Sequence, residues 1–367
     1  MNNRTKFAKQ SHLNNLTVCM VSPYLPRAGG IAVQTHSMVA GLESEGVKVL
    51  RVDTILHKLD RKKLLFPLRI ILQPLVTAAR FLRSAPKADV IHIHACSWWG
   101  FVPVMVCAPL NKLFTKKRLV ISFHGARGHI WIKKHAKLAR YFFGMADDIV
   151  VVSPQLKEVL AEEGIQTRVL WNLVDLDRFS FRERRNIKPN IAWIRHFEDM
   201  YDPMTALRVY EKVKQVIPDV TITFIGDGSL HPQMDRYICE HNLTDIHFTG
   251  RLSNAQVPIE FDKADIFLNT SKDDGLPTAL LEASAAGFPL VTTNAGGIPC
   301  MLENGKEGII VPVGDIDALA NEIIGLIRDP KRAAAMSVAA RHNAERYGWA
   351  ARVEDMEVLY GLKEVTQ

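Results

Sequence analysis

Between Asp265 and Cys300 the chain alternates short apolar runs with a helix-forming run, an order that only a few architectures accept. Ile266 to Leu268 is an apolar run of strand type. Ser271 to Pro277 is polar and punctuated by Gly275 and Pro277, which reads as loop. Thr278 to Ala286 holds no helix breaker and is rich in Ala and Leu, so it reads as helix. Gly287 stops that helix, Pro289 lies just beyond it, and Leu290 to Thr293 is the next strand. Asp274 hangs in the loop and Glu282 sits inside the helix. The helix start between them offers unbonded N–H groups and the positive end of a dipole, which suits a phosphate.

The same alternation runs through the rest of the chain. Leu16 to Ser22 reads as a strand, Ala32 to Glu45 as a helix and Val47 to Val52 as a strand, with Gly29-Gly30 in the first turn. Adjacent glycines let a backbone approach a ligand, although a plain tight turn satisfies the same residues. Asp89 to His94 and Arg118 to Phe123 are further strands. The second of these ends on His124-Gly125, where α/β folds place ligands. Position alone fits a substrate partner and a structural turn histidine equally. Trp98, Trp99 and Phe101 read as core. Helices are expected over 127–143 and Pro154–Glu163, with strands over Asp148–Ser153 and Arg168–Trp171. The charged cluster from Asp177 to Asn190 reads as an interdomain linker. Beyond it the alternation restarts, with strands near Ile191–Ile194, Val220–Ile225 and Ile246–Thr249 and helices over Pro203–Val216, Leu230–His241 and Ile316–Arg328. The element order is duplicated without a visible sequence repeat. The expectation is therefore an α/β chain of two doubly wound, Rossmann-like domains with a cleft between them. The first is expected over residues 1–180 and the second over 186–349. A C-terminal helix, 350–367, is expected to pack back on the first.

Charge is divided unevenly along this plan. Residues 1–185 carry 29 Lys+Arg against 13 Asp+Glu, and the remainder carries 17 against 26. A basic first half suggests an anionic partner: a phospholipid surface, a lipid-linked phosphate or a nucleic acid. Residues 57–83 interleave Lys58, Arg61, Lys62, Lys63, Arg69, Arg80 and Arg83 with Leu, Ile and Phe. Such a segment fits a membrane interface. It fits equally a domain helix with its apolar face on the sheet and its basic face in water. Pro67 and Pro74 are expected to break it into short pieces. Aromatic residues in this half follow core-like patterns, with no stacking platform, so nucleic acid is not expected. The five cysteines show no paired spacing, which argues against a disulfide framework or a zinc site and for a reducing cytoplasm. No apolar run reaches transmembrane length, and the first twelve residues lack an apolar signal region.

The ordered motifs together resemble a family. Gly29-Gly30-Ile31, Phe123-His124-Gly125, Ala146-Asp147 with Val151-Val152-Ser153, and Asn172-Leu173-Val174-Asp175 occur in the first half. Phe224-Ile225-Gly226-Asp227-Gly228, Thr249-Gly250-Arg251-Leu252 and Asp274 to Gly297 occur in the second. Over nearly its whole length the chain resembles the GT-B glycosyltransferases of the large retaining glycosyltransferase family 4, the group 1 glycosyl transferases.

The resemblance implies transfer of a sugar from a UDP- or GDP-linked donor with retained anomeric configuration and no metal or other cofactor. The implied catalytic residues are His124, Asp274 and Arg195. Arg195 would hold the donor phosphates, a bidentate task. Glu282 would accept from both ribose hydroxyls. Arg251 and Leu252 would lie against the base. Gly29, Gly30, Gly226, Leu276 and Thr278 complete the implied donor site. The acceptor would be a glycan or a lipid-phosphate-linked sugar at the cytoplasmic membrane face, in bacterial surface polysaccharide or glycolipid assembly.

Three residues depart from the family's pattern. Asp274 stands for the first Glu of its paired-glutamate motif, Met200 for a Lys five residues after the arginine, and Cys300 for a Glu after Gly-Gly-x-Pro. Loss of a phosphate cation weakens leaving-group stabilisation, with His196 or Lys272 as candidate substitutes. The alternative implied is a catalytically impaired GT-B protein that binds a nucleotide or glycan, or partners an active transferase. An epimerase or phosphorylase on the same fold ranks lowest, since no phosphorylase-type cofactor lysine stands out.

Overall fold

The computed structural model describes residues 11–25, 29–56, 66–125 and 128–364, with the backbone alone for 66–69. The loop at Pro26-Arg27-Ala28, the basic run 57–65 and Arg127 lie outside the described residues. The chain divides into two compact units. One holds the residues up to Trp171 together with those from Trp349 on, and the other runs from Asn172 to Gly348.

Among the described residues of the first unit, six strands form one parallel sheet. They are β1 (Thr17–Ser22), β2 (Lys48–Asp53), β3 (Val90–Cys96), β4 (Arg118–His124), β5 (Asp148–Val151) and β6 (Arg168–Val169), in the order β2-β1-β3-β4-β5-β6. Chain order reverses between β1 and β3, which makes the ends of these strands the switch point of a Rossmann-like sheet. Cys19, Val21, Ile91, Ile93, Ala95, Ile121 and Phe123 pack on one side of the sheet against Phe81, Phe101, Trp131, Phe143 and Leu160 of the following helices. On β3 the alternate residues face the other way. His92 meets Tyr360 of the C-terminal segment, and His94 meets Thr35 of the helix Gly30–Ser44.

The second unit's sheet holds β7 (Asn190–Ile194), β8 (Thr221–Ile225), β9 (Ile246–Gly250), β10 (Ile266–Asn269), β11 (Leu290–Thr293) and β12 (Ile309–Val311). Their order is β12-β11-β10-β7-β8-β9, all parallel, with its switch point between β7 and β10. Trp193, Tyr210, Phe224, Leu268, Val291 and Ile323 are fully buried and centre its core. The short helix Thr278–Ala285 is buried along its length except at its first residue, Thr278, which explains its high Ala and Leu content.

Several expectations are corrected. The segment read as a linker is packed into the second unit. Arg182 reaches Asp265 at 2.7 Å and donates to the carbonyl of Ala264, and Arg184, 1% exposed, donates to the carbonyls of Arg182 and Ala286 over the Phe288 ring. Burial lowers the Arg184 pKa to about 9. These contacts, made by the terminal guanidinium nitrogens while Nε of both Arg182 and Arg184 stays buried without a hydrogen-bond partner among the described residues, make this charged stretch an internal strap, and the two compact units divide after Trp171.

Pro74 does not break its segment: one helix runs from Phe66 to Ser84 with Pro74 inside. Pro67 occupies the first turn, where its missing N–H has no intrahelical partner to lose. Trp98 and Trp99 are exposed, whereas Phe101 is buried. The helices Val102–Leu110 and Pro330–Glu345 and the strand β12 add to the elements expected from sequence. The last helical segment is shorter than expected, with a 3-10 turn at Trp349–Ala351 followed by an α-helix at Val353–Leu359.

Candidate active site

In the second unit the candidate residues stand on loops leaving the C-terminal ends of adjacent strands. Arg195 follows β7, Gly226 follows β8, Gly250 ends β9 before Arg251 and Leu252, and Asp274 follows β10. Leu276, Thr278 and Glu282 continue from that last loop into the helix Thr278–Ala285. Two glycines bring these loops together. A Cβ at Gly226 would collide with the carbonyl oxygen of Arg195, and a Cβ at Gly296 with that of Asp274. Both also hold positive φ, 141° and 52°, where only glycine is unstrained.

Arg195 Nη2 lies 3.1 Å from Asp274 Oδ2. The approach is a charge contact without hydrogen-bond geometry, since Nη2 and Nε are both buried with no hydrogen-bond partner among the described residues. Burial pushes the Asp274 carboxyl above its usual range, and Arg195 works against that rise. Glu282 is likewise raised by burial and restrained by Arg178, whose Nη1 stands 3.1 Å from Glu282 Oε1. No side chain caps the N-terminus of the Thr278–Ala285 helix, and Leu276 is held by Asn172 Nδ2 donating to its carbonyl at 2.8 Å.

Arg178 is the functional candidate that sequence reasoning passed over. It donates through Nε to the Asn254 carbonyl, lies over the Phe179 ring and leaves Nη2 buried without a hydrogen-bond partner among the described residues. Its signal was present, as a basic residue three positions after Asp175, but it fell within the stretch read as linker. The proposed substitutes for the cation lost at Met200 are engaged elsewhere. Lys272 Nζ sits 2.9 Å from Asp199 and 3.5 Å from Asp202. His196 is held below its usual pKa by burial and then by Arg251, so it is a poor cation.

The first unit carries Gly29, Gly30 and His124. Gly29 is the N-cap of the helix Gly30–Ser44, which has no side-chain cap. Gly29, Gly30 and Ile31 line a cavity of about 370 Å³ at the β1–β3 switch point, together with His94, Cys96, Trp99 and Gln73. His124 ends β4 opposite Cys96, its ring 5.0 Å from that of His94. Nε2 of each histidine is buried without a hydrogen-bond partner among the described residues. Burial lowers the His124 pKa to about 4 and that of His94 well below its ordinary value, so both rings are neutral at pH 7. Thr35 Oγ1 lies 2.8 Å from the Ile31 carbonyl and 3.0 Å from His94 Nδ1, which ties the His94 ring to the helix Gly30–Ser44. Among the described residues no group of His, Cys, Asp and Glu is arranged to hold a metal ion.

Two parallel Rossmann-like units, each with polar residues gathered at its switch point, define the GT-B architecture. Residues 28–178 match the model of Glycosyltransferase Family 4, and residues 177–343 match that of Glycosyl transferases group 1. The chain belongs to this family of glycosyltransferases. It is 26% identical to the GDP-mannose-dependent alpha-(1-6)-phosphatidylinositol monomannoside mannosyltransferase of Mycolicibacterium smegmatis, over 95% of this chain and 96% of that protein. Identity to the sulfoquinovosyl transferase SQD2 of Arabidopsis thaliana is also 26%, over 78% of this chain and 58% of that one. The crystal structure of Anabaena HepE in complex with UDP and glucose has the same fold, with a TM-score of 0.72 and 17% identity over 94% of this chain and 100% of that one.

Proposed function

We propose that this glycosyltransferase moves a sugar from a UDP- or GDP-linked donor to a glycan or lipid-phosphate-linked acceptor, with retained configuration and without a metal ion. The carrying observation is Arg195, a buried guanidinium with two nitrogens lacking hydrogen-bond partners among the described residues, on the loop after β7, while the loop after the neighbouring β10 leads into the uncapped Thr278–Ala285 helix. Both features are completed by an oxyanion, and a diphosphate offers several. In this reading Arg195 and the Leu276–Thr278 backbone stabilise the leaving diphosphate, the task a metal performs elsewhere. Glu282 takes the ribose hydroxyls and Gly226, Arg251 and Leu252 bound the base. His124, neutral, accepts from a hydroxyl of the transferred sugar, and Asp274 orients that sugar. Gly29 and Gly30 leave room for the donor's phosphates. A lipid acceptor agrees with the mycobacterial relative, whose name specifies a phosphatidylinositol monomannoside. The work would then be done at the cytoplasmic face of the membrane.

Calorimetry with UDP and GDP tests the donor site. Arg195→Ala is expected to weaken binding by roughly 10- to 100-fold, the worth of charge-assisted hydrogen bonds. Unchanged affinity would remove Arg195 from the site. One observation favours a second reading, binding without turnover: Met200 replaces a family lysine, and Lys272 is committed to Asp199 and Asp202. Tight nucleotide binding with neither transfer nor donor hydrolysis would select it.

A further inference from the structure

We propose that one helical face of the first unit is a docking surface for an anionic phospholipid bilayer. The face is built from Phe66–Ser84, Val102–Leu110 with its continuation Asn111–Thr115, and Gly128–Phe143. Their inner residues Phe81, Val104, Trp131 and Phe143 share one core against the sheet, so the segments form a single layer. The outer side of this layer is apolar where a water-facing layer is polar. Ile71, Leu75 and Leu82, spaced four and seven apart, form one exposed stripe along the first helix. Leu113 and Phe114 are 69% and 67% exposed, and Trp98 and Tyr141 are exposed as well. Twelve of the seventeen exposed large hydrophobic side chains among the described residues lie between Ile70 and Tyr141. That concentration marks an interaction surface, since isolated exposed apolar residues are scattered.

Charge selects the partner. From Arg61 to Ala146 the sequence holds 16 Lys+Arg and one acidic residue, Asp89, whose carboxylate accepts from the Thr17 N–H. Among the described residues Arg83, Lys112, Lys116, Lys137 and Arg140 have no acidic partner, and Lys133 reaches Glu162 only at 3.8 Å. A second copy of the chain docked on this face through a two-fold axis would set cation against cation. A nucleic acid would leave the aliphatic stripe without a partner. An anionic bilayer meets both demands, taking apolar side chains below its headgroups and cations among its phosphates. No helix among the described residues is long and apolar enough to cross a membrane, so the face lies on the bilayer. Gln73, Trp99 and Pro103, which line the first-unit cavity, belong to the same helical layer and the turn leading into it. A docked face would hold that cavity near the headgroups. This last step rests on the lipid-linked acceptor proposed above; the docking itself does not.

Sedimentation of the full chain with vesicles tests the surface. Vesicles containing phosphatidylglycerol are expected to bind the protein, and vesicles of phosphatidylcholine alone are not. Added salt should weaken the binding. Lys112→Ala and Lys116→Ala should each cost about fivefold in vesicle affinity, and Leu113→Ser with Phe114→Ser about tenfold or more together. Val338→Ser, exposed on the second unit, should cost nothing. All five are surface changes, and an unchanged thermal midpoint verifies folding. Failure to bind phosphatidylglycerol vesicles, equal binding to neutral vesicles, or binding indifferent to the Leu113 and Phe114 changes would each overturn the proposal. So would concentration-dependent self-association that these two changes abolish. Sugar transfer to a soluble acceptor, measured on the same variants, should be unaffected. Absence of transfer by the unsubstituted chain while it still binds vesicles would count against the transferase reading alone.

Discussion

Arg178 and Glu282 form a pair whose two halves have different origins. Glu282 sits on the buried face of its helix because the Ala and Leu around it draw that helix inward. A carboxyl so placed resists ionisation, and Arg178 at 3.1 Å restores part of the ionised form. If ionised Glu282 holds a ribose, nucleotide affinity falls as pH drops and the carboxyl takes up its proton. Arg178→Met removes the restoring charge, so that fall is expected to begin at higher pH than in the wild type. Glu282→Gln should abolish it while lowering affinity about tenfold. Calorimetric titrations across the acid range distinguish these outcomes. Arg178→Met should also lower stability by about 3 kcal/mol, because it strands a buried carboxylate. Asp274 and Arg195 repeat the arrangement one strand away, and each arginine keeps buried nitrogen without a hydrogen-bond partner among the described residues, Nη2 of Arg178 and Nε and Nη2 of Arg195.

At the scale of elements, β3 and β4 carry a buried polar layer on the sheet face under the Gly30–Ser44 helix and the C-terminal segment. His92 bonds Ser122 at 2.7 Å and Tyr360 at 3.0 Å, and His94 bonds Thr35 at 3.0 Å. Burial lowers the His92 pKa to about 3 and the His124 pKa to about 4, with His94 also well below its ordinary value. These groups stay neutral in the fold while their unfolded counterparts protonate near pH 6.5. Their contribution to stability is therefore complete above pH 6.5 and declines as pH falls toward 4. With three protons bound preferentially by the unfolded chain, the slope approaches about 4 kcal/mol per pH unit. Urea unfolding followed by tryptophan fluorescence reports mainly on the first unit, which holds every tryptophan except Trp193. Its midpoint should drop steeply between pH 6 and pH 4.5, and His92→Asn should flatten the drop.

Most strands were legible because they are short runs rich in β-branched residues and closed by a turn residue, as at Val220–Ile225 before Gly226; β12, only Ile309–Val311, was too short to stand out. The helix Val102–Leu110 was not, because Val-Pro-Val-Met-Val-Cys-Ala-Pro-Leu is apolar throughout and contains two prolines, which erases any helical period. The helix Pro330–Glu345 did carry a start signal. Asp329 caps it by accepting from the Arg332 N–H, with proline in the first turn. The candidate residues after β7, β8 and β10 came from motifs, and the structure places them on neighbouring loops. Arg178 was not, because a surface linker and a buried strap share the same charged composition.

The two units share an architecture and differ in what their surfaces offer. The half up to residue 185 is net basic by sixteen charges, and the rest is net acidic by nine. The excess sits largely on the helical layer of the first unit that also exposes Leu113 and Phe114, whereas the donor candidates Arg195, Asp274 and Glu282 belong to the second unit. In the two proposals the diphosphate and ribose contacts fall to the second unit and attraction to an anionic surface falls to the first, and separate substitutions test them. The most direct test of the transferase reading is mass spectrometry of the purified chain incubated with UDP- and GDP-sugars and lipid-phosphate acceptors in phosphatidylglycerol vesicles. The expected result is a glycosylated lipid and free nucleoside diphosphate in equal amounts, with both lost in Arg195→Ala. Nucleotide binding with no transfer and no donor hydrolysis from any sugar would contradict it.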